Sequence, residues 1–113
     1  MSTQLGTFNS IWAFDVVDPT TWSANAISAL EVLQIKDGFI VGAIIRSPDE
    51  PQRHLVTCEW KDVGSYRRAL SSTESKMTVW PFLAGMIDQP SAYETLLQVT
   101  PQEIRTYDTS VSE

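Results

Sequence analysis

Phe8, Ser10, Trp12, Phe14 and Val16 alternate with Thr7, Asn9, Ile11, Ala13 and Asp15 in a stretch without Gly or Pro. This alternation, rich in aromatic and β-branched residues, predicts a strand over residues 7–17. Both of its faces carry apolar groups, so both are expected to be covered, one by helices and the other by a partner subunit. Asp18-Pro19 ends the strand and opens a helix, with Asp18 or a nearby Thr as the cap. Trp22, Ala26, Ala29, Leu30 and Leu33 then recur at helical spacing, with Ser23, Asn25, Ser28 and Glu31 on the other side. Lys36-Asp37-Gly38 supplies a C-terminal cation and a glycine stop.

Phe39–Arg46 reads as a second strand and Arg53–Trp60 as a third, joined by the turn-forming Ser47-Pro48-Asp49-Glu50-Pro51. They form an antiparallel hairpin with a loop longer than the tight two-residue type. Lys61-Asp62 opens a second helical region with Val63, Tyr66 and Leu70 as its stripe and Arg67 and Arg68 toward solvent. Ser71-Ser72-Thr73 interrupts it, and Glu74–Ile87 resumes helical spacing through Met77, Trp80, Ala84 and Ile87. Pro81 lacks a backbone donor, which predicts a kink or break there. Residues 91–99 read as the last strand. Residues 101–113 follow as an arm or frayed end, beyond a single domain over residues 1–100.

The length of 113 residues suits one domain with one core. Hydrophobic residues at 42% and charged residues at 19% are globular proportions. The net charge of -6 argues against nucleic acid as a partner, which needs a basic footprint. One cysteine, Cys58, rules out an internal disulfide, and one histidine, His54, rules out a multi-histidine metal site within a single chain. No apolar run is long enough to span a membrane, and Met1–Gly6 does not read as a secretory signal. A cytoplasmic protein is the expectation.

The order strand, helix, strand, strand, helix, strand is the split βαβ, an α+β ferredoxin-like arrangement with an antiparallel sheet. Within it, Asp37-Gly38-Phe39 follows the first helix, Arg46-Ser47-Pro48-Asp49-Glu50-Pro51 fills the hairpin, and Glu59-Trp60-Lys61-Asp62 enters the second helical region. On these residues the sequence resembles the antibiotic biosynthesis monooxygenase family of the dimeric α/β barrel superfamily, over about residues 7–99. The resemblance implies a homodimer whose sheets pack face to face, each subunit keeping a small-molecule pocket between its own sheet and helices. It also implies an activity that runs from metal- and flavin-free oxygenation to haem degradation.

Asn9 stands on the first strand, where the resemblance implies a functional amide, and Trp60 matches the family tryptophan at the end of the third strand. As catalytic candidates, Asn9 would hold a substrate oxygen and Trp60 would wall a flat aromatic substrate. Each has a plain structural alternative, as a strand-end amide and a core indole. Tyr66, Met77 and Trp80 are the candidate substrate-binding residues, with Tyr66 as proton donor, although residues at helical spacing are more often core. Arg67 or Arg68 could clamp an acidic group, but adjacent helical residues point about 100° apart, so at most one faces inward. The axial histidine of the haem-degrading relatives has no counterpart in Glu74–Ile87, and His54 sits by a turn where exposure is the rule. Cys58 is expected to be a buried small hydrophobe. The reading is therefore a homodimeric, cofactor-independent monooxygenase of small aromatic molecules, with no metal. The alternative is a non-catalytic binder or interaction protein on the same scaffold.

Overall fold

The computed structural model describes residues 4–111. Strand β1 (Phe8–Asp15), helix α1 (Pro19–Gln34), strands β2 (Phe39–Arg46) and β3 (Arg53–Trp60), helices α2 (Val63–Leu70) and α3 (Thr73–Leu83) and strand β4 (Ala92–Glu94) come in that order. A small hairpin, β5 (Leu97–Val99) and β6 (Ile104–Thr106), follows. The main sheet has the order β2-β3-β1-β4 with every pairing antiparallel, which is the ferredoxin-like split βαβ.

The register decides which side chains face the helices. Phe8 lies opposite Trp60, Trp12 opposite Val56 and Phe14 opposite His54, and all six are buried. Helix α1 starts where the Asp18 carboxylate accepts the Thr21 amide at 3.2 Å, and it buries Ala26, Ala29 and Leu33. Its small residues let Trp22 reach Phe14, ring centroids 5.3 Å apart, and Phe82 of α3 closes on the same ring at 4.7 Å. Gly38 takes φ of 87° at the turn into β2, a conformation that L side chains rarely adopt, and the Ser65 side chain fills the space a Cβ would need.

Several expectations are corrected. Helix α3 turns Ser75, Val79 and Phe82 inward rather than Met77, Trp80 and Ala84. The small Ser75 fixes that rotation: its hydroxyl donates to the Ala69 carbonyl at 2.7 Å, which seats α3 against the end of α2. Pro81 does not split the helix but lies in its last turn, and α3 ends two residues later at Leu83 rather than running on to Ile87. His54 is only 7% exposed, since its ring packs on Trp22 at 5.0 Å. The expected last strand is two. Only Ala92–Glu94 joins the sheet, while Leu97–Val99 turns away to pair with Ile104–Thr106. The segment expected as an arm or frayed end thus contributes a strand, and a bridge from Asp108 to Leu5 brings it back to the sheet edge.

The helices all pack on one side of the main sheet. The other side carries Ile11, Val41, Ala43, Ile45 and Leu55, with Val41 54% and Ile45 48% exposed.

Candidate functional site

Phe8 and Ser10 of β1 face the helices, and their β4 partners Glu94 and Ala92 extend that side to the sheet edge. The first turn of α2 stands over this edge, set there by Asp62, whose carboxylate accepts the Ser65 amide at 2.7 Å. Between them lies a cavity of about 400 Å³, lined by Phe8, Val63, Arg67, Asp62, Ala92 and Glu94 together with residues 5–7 and 110–111. It falls within the size range of small-molecule sites. Tyr66 packs at a tilt on Phe8 at 4.8 Å and edge-on against Trp60 at 5.9 Å, so the wall behind Phe8 is aromatic two rings deep.

The tail forms one side of the cavity, through Ser110 and Val111. The Glu94 carboxylate accepts the Ser110 amide at 3.1 Å and the Ser110 hydroxyl at 2.8 Å, and also the Thr109 hydroxyl. These bonds hold the Glu94 carboxyl below its ordinary value, the Thr109 hydroxyl contributing most. The Asp62 carboxyl is lowered chiefly by the Ser65 amide. Burial raises the Tyr66 phenol, so at neutral pH it is a neutral hydroxyl able to donate.

The candidate residues do not all meet. Trp60 is fully buried on the helix side, beside Phe8 in register, and its indole N–H finds no hydrogen-bond partner among the described residues. Asn9 faces the opposite side of the sheet. Its amide donates to the Thr95 hydroxyl at 2.9 Å and the Tyr93 carbonyl at 3.4 Å, tying β1 to β4 and the residue after it. A joint Asn9–Trp60 site is therefore corrected, because one residue along a strand reverses the face. Asn9 instead borders a hollow of about 240 Å³ on the helix-free face, with Ile11, Ala43 and Thr57. Met77 and Trp80 are corrected too: they lie on the outer side of α3, 74% and 51% exposed. The Trp80 indole donates to the Leu70 carbonyl at 2.9 Å, closing the end of α2.

Of the two arginines, Arg67 lines the cavity and Arg68 donates to the Ser65 hydroxyl at 3.3 Å. Of the residues lining the cavity, sequence patterns singled out only Arg67 as a candidate; Phe8, Val63, Glu94 and the tail were missed. Phe8 reads as core, and the tail's return depends on a contact sixteen residues long in sequence, Glu94 to Ser110. Burial pushes the Cys58 thiol up to about 11, so it is neutral at physiological pH. Among the described residues no three His, Cys, Asp or Glu side chains gather into a set that could hold a metal ion.

No protein-family profile matches the chain, and no curated protein sequence does. Solved structures do. SnoaB, a cofactor-independent oxygenase from Streptomyces nogalater, superposes in a variant form with a TM-score of 0.66 at 15% identity, over 95% of this chain and 98% of its own. A protein from Deinococcus radiodurans, provisionally named an antibiotic biosynthesis monooxygenase, gives 0.68 at 13% identity over 82% and 96%. The chain has the fold of the antibiotic biosynthesis monooxygenases. A conserved protein from Methanosarcina mazei Go1 superposes as well, with a TM-score of 0.63 at 20% identity over 96% of each chain. No helix among the described residues is long and apolar enough to cross a membrane.

Proposed function

We propose that this protein is a homodimeric small-molecule-binding protein that oxidises aromatic, polyketide- or quinol-like substrates as a cofactor-independent monooxygenase. The observation that carries the reading is the aromatic-backed cavity between β1, β4 and α2, on the fold that a cofactor-independent oxygenase also has. In such chemistry the deprotonated substrate itself gives an electron to dioxygen. The protein supplies an apolar pocket, exclusion of water and a polar group for the anion. Phe8 and Val63 supply the apolar walls, Tyr66 a neutral phenol behind them, and the tail a cover. Trp60 is a positioning residue here: it holds Tyr66 and Phe8 in place. A second copy covers the helix-free sheet face, whose exposed Val41 and Ile45 support the dimer. The single free thiol, buried Cys58, suits the reducing cytoplasm.

The test is oxygen uptake by purified protein, treated with EDTA and stripped of flavin, on a panel of anthrones, quinols and flavonols. Uptake with at least one class is expected. Binding without uptake on any of them moves the assignment to the second reading, a non-catalytic binder. One observation favours that alternative: the Asn9 amide, the polar group expected to hold a substrate oxygen, is committed to Thr95 and Tyr93 on the other face.

A further inference from the structure

Three charged side chains line the cavity, and two of them are already engaged. Asp62 caps α2 through the Ser65 amide, and Glu94 holds the tail through Thr109 and Ser110. The third, Arg67, makes no ion pair and no guanidinium hydrogen bond among the described residues. Its neighbours add to the local charge, since Lys61, Arg67 and Arg68 fall within eight residues that hold one carboxylate, Asp62. In a chain of net charge -6 the cavity thus presents a cation as its one charged group without a hydrogen-bond or ion-pair partner among the described residues.

We infer that the cavity recognises an aromatic ligand bearing an oxygen anion, a carboxylate or a phenolate, and that Arg67 is the residue that selects for it. The inference rests on the proposed small-molecule reading of the cavity and names the ligand class within it. A guanidinium offers a fork of donors matched to two oxygens, so it discriminates an anion from an isosteric neutral group. Phe8 and Val63 receive the ring system, and about 400 Å³ admits two or three fused rings. Glu94 and Asp62 oppose an anion that approaches from their side. The acidic group must therefore lie against Arg67, past the Asp62 cap of α2, and away from the sheet edge and the tail.

The probes are anthraquinone-2-carboxylate, its neutral carboxamide, and 2-hydroxyanthraquinone titrated across its phenol ionisation. Affinity is read by quenching of tryptophan fluorescence, which needs no turnover. Wild-type protein is expected to bind the carboxylate more tightly than the carboxamide. Arg67→Gln should weaken carboxylate binding about tenfold or more, the scale of a charge-assisted hydrogen bond, and change carboxamide binding less than about twofold. Arg67→Lys should restore only part of the loss, because an ammonium lacks the fork. Arg68→Gln, whose guanidinium bonds Ser65 off the cavity, should change neither. The phenol probe separates the sources of anion: tighter binding as it ionises, lost in Arg67→Gln, assigns phenolate as well as carboxylate. Equal losses for the charged and neutral probes in Arg67→Gln, or no loss for either, would overturn the charge selection and leave the cavity reading intact. Failure of wild-type protein to bind any of the probes would overturn both. A melting temperature for each variant close to wild type confirms that the comparison is between folded proteins.

Discussion

The indole of Trp60 and the amide of Asn9 show how little sequence distance separates core from surface. Trp60 is fully buried, so Trp60→Ala should cost about 3–5 kcal/mol of stability through the cavity it leaves, measured by denaturant unfolding. Asn9→Ala removes neutral hydrogen bonds to Thr95 and Tyr93 and should cost about 1 kcal/mol. Because Asn9 faces away from the cavity, that variant should keep full turnover on any substrate the wild type oxidises. A large loss of turnover with stability unchanged would return Asn9 to the site. The two residues could be matched to family positions from sequence, yet their opposition was not legible there. Both faces of β1 carry apolar groups, so periodicity alone does not say which side the helices take. Cys58 was readable as a buried hydrophobe. With its thiol pushed up to about 11, it should resist a thiol reagent at pH 7 in the folded protein and react once the chain is unfolded.

At the scale of elements, β2 follows from its apolar run, β3 from alternation, and α1 from its helical stripe, the Asp18 cap and the Gly38 stop. Helix α3 does not, because its apolar residues lie on more than one side. Its inward face is chosen by a serine that bonds the Ala69 carbonyl and by a tryptophan that bonds Leu70, both tertiary contacts. The end of the chain was illegible for a related reason: its anchor is a carboxylate far upstream. Glu94 is held below its ordinary carboxyl value in the folded state, so it favours tail attachment at neutral pH. That contribution is present above the pKa of the unfolded carboxyl and is lost as pH falls through the lowered folded value. Hydrogen-exchange protection of the Ser110 amide should therefore be full at pH 7 and collapse in acid before the helices unfold. Glu94→Gln should lower it already at pH 7. Protection that is unchanged by Glu94→Gln would mean that the tail is held by something other than this carboxylate.

The whole molecule is long for its size, with a radius of gyration of 15.3 Å against about 13 Å expected for a compact chain of this length. The helix-free sheet face and the β5–β6 hairpin leave Val41, Ile45, Leu97, Val99 and Ile104 exposed. A second copy on the sheet face is the expected remedy, so sedimentation at micromolar concentration should report a dimer. Ile45→Glu, placing a charge in that face, should shift the protein toward monomer without unfolding it. A wild-type monomer under those conditions would contradict the dimer. The placement of ligand on the helix side of the sheet, and not on the face that a second copy covers, is the claim on which the functional account turns. It is tested most directly by mapping backbone amide shifts as an aromatic carboxylate is titrated into isotopically labelled protein. Changes are expected at residues 5–8, 62–67, 92–94 and 110–111, whereas changes centred on Asn9, Ile11, Ala43 and Thr57 would place the ligand on the opposite face.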